Sequence, residues 1–247
     1  MSLWPVTFAR TIREMATLIA ERGIPQWRRR LTLPAYKVVD AAKYAQISRQ
    51  TILSWESGSG SKPIVTNRAD GASLSYLQLV ELAFVAQLRK AGVKLPVIKD
   101  AREYVQLQLG SEFPFAQHAF KTDGKDILME YNQFVAGQPV GKLMAANKHQ
   151  LAWGEILGSK FQEFKYEDGL AVQWLVAGKD SPVLIDPRIS FGAPMVGGVA
   201  TWAIKGRWEA GESASDIAED FSIDRAKVEH ALKFEGIDLT ELQACSH

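Results

Sequence analysis

The chain has 247 residues, of which 47% are hydrophobic and 23% charged, so it can form one large or two small globular domains with a buried core. Its single cysteine, Cys245, excludes an intrachain disulfide and disfavours a cysteine metal site, and its four histidines lack ligand spacing. No apolar run approaches the roughly 20 residues of a membrane span, and the N-terminus lacks a signal-peptide pattern. We therefore expect a cytoplasmic protein with no metal or cofactor.

The charge is divided unevenly between the two halves of the chain. Residues 1–120 carry 16 Lys and Arg against 9 Asp and Glu, whereas residues 121–247 carry 13 against 19. The net charges are thus +7 and −6. A basic first half favours a polyanionic partner such as nucleic acid, with chance asymmetry as the alternative.

The first predicted element is an amphipathic helix over residues 8–22, ended by Gly23 and Pro25. A short basic cluster, Trp27 to Arg30, follows, and we expect it on a connector between helices.

Residues 36–55 predict two short helices joined by a tight turn. Val38, Val39, Ala41, Ala42 and Tyr44 give the first an apolar face. Ile47 is the expected buried residue of the turn, and Ser48 is a natural N-cap for a second helix bearing Ile52, Leu53 and Trp55. This is the anatomy of a helix-turn-helix, but periodicity alone does not distinguish it from an ordinary helical hairpin.

After the helix pair, residues 56–63 (ESGSGSKP) lack the Gly-Lys-Ser/Thr ending of a phosphate loop and instead begin a predicted wing that continues through residue 71. A largely apolar helix is predicted over 73–92 and a second over 96–109, which Gly92 and Gly110 terminate.

Two Asp-Gly turns predict β-hairpins in the middle of the chain, over residues 118–131 and 161–176. We expect these to form one small antiparallel sheet, with residues 183–186 as a further strand. A short helix is possible over 150–157.

The C-terminal part is predicted to be helical. One helix covers 199–208, Ser213 begins a second in a capping-box-like pattern with Asp216, and Asp224 caps a third, whose Val228, Ala231 and Leu232 face inward. This is a second helix-turn-helix-like pattern. This second pattern is rich in Asp and Glu. DNA phosphates would repel such a face, so it is better suited to binding protein.

The sequence YKVVDAAKYAQISRQTILSWE, with its following loop and LSYLQLVELAFVAQLRKAGVKLPVIKDA, resembles the MerR-type winged helix-turn-helix. This chain departs from the family at Gln46, where Gly is preferred, and at Leu53, where Arg commonly contacts phosphate. Its wing is rich in Gly and Ser. No long dimerisation coiled coil follows, and no cysteines could sense a metal.

The second half resembles the small helical domain of unknown function found in VapB-type antitoxins. The matching positions are Asp186-Pro187, Gly192-Ala193-Pro194, Gly198 with Thr201, Gly211-Glu212-Ser213 and Val228. The two hairpin segments also resemble the linker sheet of long antitoxins that join this domain to a MerR-like head. The resemblance covers roughly residues 36–235.

These resemblances imply an α+β, mainly α fold with a winged helix-turn-helix in residues 1–115, a small antiparallel hairpin sheet in 116–185, and a three-helix antitoxin-type domain in 186–247. They imply an antitoxin that neutralises a PIN-like RNase toxin and represses its own operon as a homodimer on operator DNA. The expected DNA-binding residues are Lys37, Lys43, Ser48, Arg49, Gln50, Ser54, Lys62 and Arg68; the expected toxin-binding residues are Asp186, Arg188, Gly192, Pro194, Gly198 and Thr201.

Two other functions stay open at this level. A MerR-like regulator responding to a small molecule could line a pocket with Trp153, Tyr166 and Trp174, although aromatic residues in a small sheet are more often core. Support for an enzyme is thin, because no nucleophile motif or paired carboxylates stand out, so we expect no catalytic activity.

Overall fold

A computed structural model of the chain describes residues 25–56, 63–64, 73–121 and 153–239. The predicted helix over 8–22 and nearly all of the predicted wing lie outside the described residues. Within them, the order of elements is α1 Gln26–Thr32, α2 Val38–Ala45, α3 Arg49–Glu56, α4 Tyr76–Lys90, α5 Leu95–Leu109, α6 Trp153–Phe161, β1 Phe164–Glu167, β2 Leu170–Leu175, β3 Leu184–Ile185, a 3₁₀ turn Ser190–Gly192, β4 Met195–Val196, β5 Val199–Ala200, α7 Thr201–Glu209, α8 Ala214–Asp220 and α9 Arg225–Phe234. The fold is therefore α+β with one small antiparallel sheet.

Helix α4 is the centre of the N-terminal half, and α1, α2, α5 and α6 all pack against it. It is buried along most of its length, as its apolar circumference predicts. It begins at Tyr76, later than predicted, because Ser75 and Gln78 form a capping box. The preceding Leu74 instead pairs with Tyr36 in an isolated β-bridge.

A buried ion pair joins α4 to α5. Arg102 Nε donates to Glu81 Oε2 at 2.7 Å, and neither side chain is more than 6% exposed. The other oxygen of Glu81 accepts from the backbone amides of Phe115 and Ala116. Burial raises the pKa of Glu81 above its usual value, while Arg102 and the two amides pull it down.

The sheet is an antiparallel meander in the order β1-β2-β3-β4-β5. The predicted hairpin over 161–176 is confirmed: Asp168 and Gly169, both with positive φ, join β1 to β2. The predicted strand near 183–186 is confirmed as β3. The other predicted hairpin, over 118–131, is wrong at its start, because residues 118–121 are helical; the rest lies outside the described residues.

The C-terminal helices α7, α8 and α9 pack on one another around Ile204, Ile217 and Val228, all fully buried. Strand β4 packs on α9, so the sheet connects this bundle to the rest of the chain. The sheet therefore crosses the boundary expected between residues 185 and 186.

Aromatic side chains tie the sheet to the helical head. Phe84 of α4 stacks on Phe164 of β1, with ring centroids 5.3 Å apart, and also contacts Phe161 and Phe115. Trp174 also stacks on Phe164, with ring centroids 5.5 Å apart. Head and sheet therefore share one hydrophobic core.

Three local expectations are wrong. The Trp27–Arg30 cluster lies in α1 and not on a connector. Residues 199–200 are the strand β5, and the helix expected there begins at Thr201. Val39 is 49% exposed and does not belong to the buried face of α2.

Candidate functional site

Helices α2 and α3 are joined by the short turn Gln46–Ser48. Gln46 has left-handed backbone angles, φ 55° and ψ 42°, and ends α2. The amide of Ile47 then donates to the carbonyl of Ala42 at 3.0 Å. Ser48 caps α3, because its Oγ accepts from the amide of Thr51 at 3.0 Å, as its N-cap position predicted.

One face of α3 is open to solvent. Arg49, Gln50, Leu53 and Ser54 are exposed on it. Ile52 and Trp55 are buried on the opposite face, 0% and 4% exposed. The predicted base-contacting residues therefore lie on the outer surface. The hydroxyl groups of Ser48 and Ser54 also form hydrogen bonds with the backbone of Thr51.

The predicted phosphate-contacting cations differ in their surroundings. Lys37 is exposed at the N-cap position of α2. Lys43 is engaged inside the chain: its Nζ lies 2.7 Å from Glu235 Oε2 and 4.6 Å from the centre of the Phe234 ring. Lys62 and Arg68 lie outside the described residues.

Part of the basic cluster in α1 is used to dock that helix on the sheet. Arg28 Nη2 donates to the carbonyl of Asp168, and Arg30 Nη1 to the carbonyl of Arg188, both at 2.6 Å. The guanidinium of Arg188 lies 5.9 Å from the centre of the Trp27 ring. These contacts hold the N-terminal head against two turns of the sheet: the β1–β2 turn at Asp168 and the turn after β3 at Arg188.

That turn is organised by a buried carboxylate. Asp186 is fully buried and accepts from the backbone amide and guanidinium of Arg188 and from Gln173 Nε2. Arg188 also binds Glu167. Burial opposes ionisation of Asp186, but these donors outweigh it and hold its pKa below the usual value.

The predicted toxin-binding residues mostly lie inside this framework. Gly192 is buried where an added Cβ would stand 2.0 Å from the hydroxyl oxygen of Tyr36. Pro194 is buried, and its carbonyl accepts from the amide of the buried Thr201 at 2.9 Å. Gly198 is exposed and has open space around it. Asp186, Gly192, Pro194 and Thr201 therefore shape the domain, and only their exposed neighbours can offer side chains to a partner.

Three exposed apolar neighbours were not singled out from the sequence. Ile189, Phe191 and Trp202 are 48%, 93% and 66% exposed. Large apolar side chains are normally predicted to be buried, so the periodicity of the sequence could not have identified these three as exposed. An apolar pair around a serine in the turn RISFGAP was the available signal.

Helices α8 and α9 repeat the connection between α2 and α3. Ser222 has a left-handed φ of 53°, the amide of Ile223 donates to the carbonyl of Ala218 at 3.0 Å, and α9 begins after Asp224. The surrounding acids are largely paired within the bundle, since Arg207 binds Glu212 and Asp220. The second pair is thus similar in local backbone but more acidic: residues 214–234 carry 5 Asp and Glu against 3 Lys and Arg, whereas residues 37–56 carry 2 against 3.

The two helix pairs contact one another directly. Besides the bond from Lys43, the rings of Tyr44 and Phe234 stack with centroids 6.0 Å apart. Glu235 also accepts from the hydroxyl of Thr201. Glu235 therefore joins α2, α7 and the end of α9.

Two of the three aromatic residues considered for a ligand pocket, Tyr166 and Trp174, are structural, whereas the side chain of Trp153 lies outside the described part of the chain. Trp174 is 1% exposed, and its Nε1 donates to Glu163 at 2.9 Å. Tyr166 is partly buried beside His118. An open groove lies elsewhere, on the outer side of α9, lined by residues that include His230, Lys233 and Ile237.

Among the described residues, no group of three or more His, Cys, Asp and Glu side chains could hold a metal ion. Within the same ranges, no helix has the length and apolarity to cross a membrane.

Comparison with known proteins finds a family that matches a short C-terminal segment and a protein that is similar over most of the chain. The family described as "Protein of unknown function (DUF433)" matches residues 183–234, which is about a fifth of the chain. A protein of Mycobacterium tuberculosis (strain ATCC 25618 / H37Rv) named "Putative antitoxin VapB45" is 22% identical over 226 residues, covering 82% of this chain and 94% of that protein.

The fold is shared with a solved structure. The crystal structure of Rv2018 from Mycobacterium tuberculosis has a TM-score of 0.70 and 21% identity, and the similarity covers 82% of this chain and 99% of that one. The shared fold therefore covers about four-fifths of the chain.

Proposed function

We propose that this chain is an antitoxin that binds a PIN-like ribonuclease toxin and represses its own operon. The observation that carries this proposal is the similarity to a protein named as an antitoxin over 82% of the chain. The division of charge supports two binding functions, since the basic half suits DNA and the acidic half suits a protein. The proposed protein acts by binding and catalyses no reaction.

The proposed DNA-binding surface is the exposed face of α3. Arg49 can donate two hydrogen bonds to guanine, and Gln50 can pair with adenine in the major groove. Lys37 would contact a phosphate and fix the position of the helix. A homodimer would present this surface twice, as a two-fold symmetric operator requires.

The proposal for DNA is tested with Arg49→Ala in the full chain, by gel shift against a set of operator variants. We expect a loss on the order of 1–3 kcal/mol that depends on one operator position, because a base contact is removed. Arg225→Ala is a matched control, since Arg225 begins α9 in the second helix pair as Arg49 begins α3. Uniform weakening on all sequences would make Arg49 a phosphate contact, and no weakening would exclude this placement.

The proposal for the toxin is tested with the product of the reading frame adjacent to this one. Coexpression should give a stable copurifying complex, and the chain should restore growth of cells in which that product is toxic. If the two proteins do not bind, the antitoxin function is excluded.

A further inference from the structure

Leu53 is a large apolar side chain on the solvent-facing side of α3. It is 42% exposed, while Ile52 and Trp55 on the opposite side of the helix are buried in the core. A single exposed leucine is common on protein surfaces and by itself indicates no function. What distinguishes Leu53 is its position relative to the exposed polar side chains of the same helix.

Helix geometry places Leu53 between the two side chains proposed to contact bases. Successive residues of an α-helix are rotated by about 100°, so Leu53 lies about 40° around the axis from Arg49, and Gln50 lies about 60° further round. With a rise of about 1.5 Å per residue, Leu53 is about 6 Å along the axis from Arg49. All three side chains are exposed. A surface that contacts both Arg49 and Gln50 therefore also covers Leu53.

The chemistry of this face favours a polyanion that carries an apolar group. Residues 49–54 (RQTILS) include one Arg and no acid, and Lys37 is exposed at the N-cap of α2. Leucine has no hydrogen-bond donor, so Leu53 cannot bind a phosphate oxygen. A polar base edge covered by Leu53 would lose its water without gaining a hydrogen bond. Leu53 therefore requires an apolar group on the partner.

Duplex DNA offers such a group in the major groove at thymine. Thymine presents its 5-methyl group there beside the O4 acceptor, whereas the edges of guanine, adenine and cytosine are read through their donors and acceptors. Covering one methyl group with an apolar side chain changes a dissociation constant roughly fourfold. A leucine between Arg49 and Gln50 would therefore favour thymine over the other three bases.

We propose that Leu53 is a specificity-determining residue that packs on the 5-methyl group of a thymine in the operator. This inference rests on the DNA-binding function proposed above and adds an apolar contact to the two polar ones. Four residues of α-helix span about 6 Å and two base-pair steps about 7 Å. The thymine is therefore expected within about two base pairs of the guanine that Arg49 contacts.

The test uses the full chain and duplexes from the DNA immediately upstream of its own reading frame, within the segment that the chain protects from nuclease digestion. Each thymine in turn is replaced by deoxyuridine, which lacks only the 5-methyl group and pairs with adenine in the same way. Fluorescence anisotropy at one fixed salt concentration gives the dissociation constants. The wild type should bind about fourfold more weakly when one particular thymine of a half-site is replaced.

Two substitutions at Leu53 separate a methyl contact from a general loss of binding. Leu53→Ala should bind the thymine and deoxyuridine duplexes equally at that position, because it removes the side chain that covers the methyl group. Leu53→Met keeps an apolar side chain of similar volume and should retain the discrimination. If Leu53→Ala does not fold, Leu53→Gln takes its place, since it keeps the side-chain length, favours a helix and carries the same expectation.

Leu107→Ala is the matched control. Leu107 is also an exposed leucine within a helix, but it lies on α5. This variant should keep both the affinity of the wild type and its fourfold discrimination, because its side chain is not on the proposed DNA-binding face.

The outcomes distinguish this inference from the proposed function on which it rests. If the wild type binds every deoxyuridine duplex as tightly as the thymine duplex, the inference is wrong while DNA binding stands. If Leu53→Ala still discriminates fourfold, another residue contacts the methyl group and the inference is also wrong. If Leu53→Ala converts a dimer to a monomer and weakens all duplexes uniformly, Leu53 is a self-association contact instead. If the wild type binds none of the duplexes, the DNA-binding function and this inference fail together.

Discussion

At the scale of single residues, Gln46 and Gly192 show two different demands on the backbone. Gln46 carries a left-handed φ of 55° at the end of α2, which a residue with a Cβ adopts at a cost. Gly192 carries a φ of 76°, and its missing side chain also leaves room for the hydroxyl of Tyr36. The first position tolerates a larger residue, whereas the second excludes one.

Gln46→Gly should raise the free energy of unfolding by about 1 kcal/mol, because glycine adopts left-handed angles without a steric penalty. Urea denaturation at neutral pH measures the change. The same replacement at Gln50, inside α3, should lower stability by up to about 1 kcal/mol. A destabilised Gln46→Gly protein would show that the glutamine side chain makes a compensating contact.

Gly192→Ala should destabilise the protein by at least 2 kcal/mol more than Gly198→Ala, on the order of a severe core overpacking. Both glycines have positive φ, but only at Gly192 would the new methyl group meet Tyr36, since nothing lies within 4 Å of a Cβ at Gly198. Tyr36→Phe should recover part of the loss. Equal destabilisation of the two alanine variants in urea denaturation would contradict the steric account.

At the scale of elements, a buried ion pair fixes how α4 meets its neighbours. Glu81 lies within α4, and its carboxylate accepts hydrogen bonds from Arg102 and from two backbone amides. A buried charge that loses its partner keeps its desolvation cost without the compensating attraction. The pair therefore fixes how α5 and residues 115–116 meet α4.

Arg102→Met should lower the free energy of unfolding by about 3–5 kcal/mol, because it leaves Glu81 buried and unpaired. Adding Glu81→Gln should restore part of this stability, since the amide is neutral while its oxygen can still accept from Phe115 and Ala116. Chemical denaturation of the single and double variants measures both. If the double variant is no more stable than Arg102→Met, unpaired charge is not the cause.

Helix pairs α2–α3 and α8–α9 show how similar elements take different roles. Each pair joins its helices through a left-handed residue followed by a partly buried isoleucine, Ile47 in one and Ile223 in the other. The sequences AQISR and FSIDR at these turns predict the same backbone connection. The charge balance then separates the two pairs, because α8–α9 carries an excess of Asp and Glu and α2–α3 does not.

At the scale of the whole molecule, Glu235 links the N-terminal head to the C-terminal helices. It holds Lys43 of α2 and the buried Thr201 of α7 at the same time. A phosphate approaching Lys43 must compete with this carboxylate, so the contact lowers the positive charge that the head offers to DNA.

Glu235→Gln should steepen the salt dependence of operator binding by about one unit of log Kd per log salt, because it frees Lys43 for one more phosphate. Its amide can keep the bond with Thr201, so the fold should be retained. Glu229→Gln removes the same charge from α9, where Glu229 pairs with Arg225, and should leave the slope unchanged. Fluorescence anisotropy across a salt series measures the slopes, and identical slopes for the two variants would exclude the competition.

The sequence by itself determined the local elements that short-range physics controls. The helical period of residues 76–90, the Asp-Gly turn at 168–169, and the caps at Ser48 and Ser213 depend only on neighbours in the chain. It also determined the division of charge, which is a property of composition.

Only the tertiary structure decided which residues are accessible. Asp186, Gly192, Pro194 and Thr201 form a recognisable pattern, yet they are buried. Tyr36, from the other half of the chain, packs against Gly192, and Gln173 of β2 donates to Asp186. Lys43 is predicted as a free cation, but Glu235, 192 residues further along, pairs with it. Phe191 and Trp202 are apolar and yet exposed. Burial and pairing depend on contacts between distant segments, which local periodicity and composition do not specify.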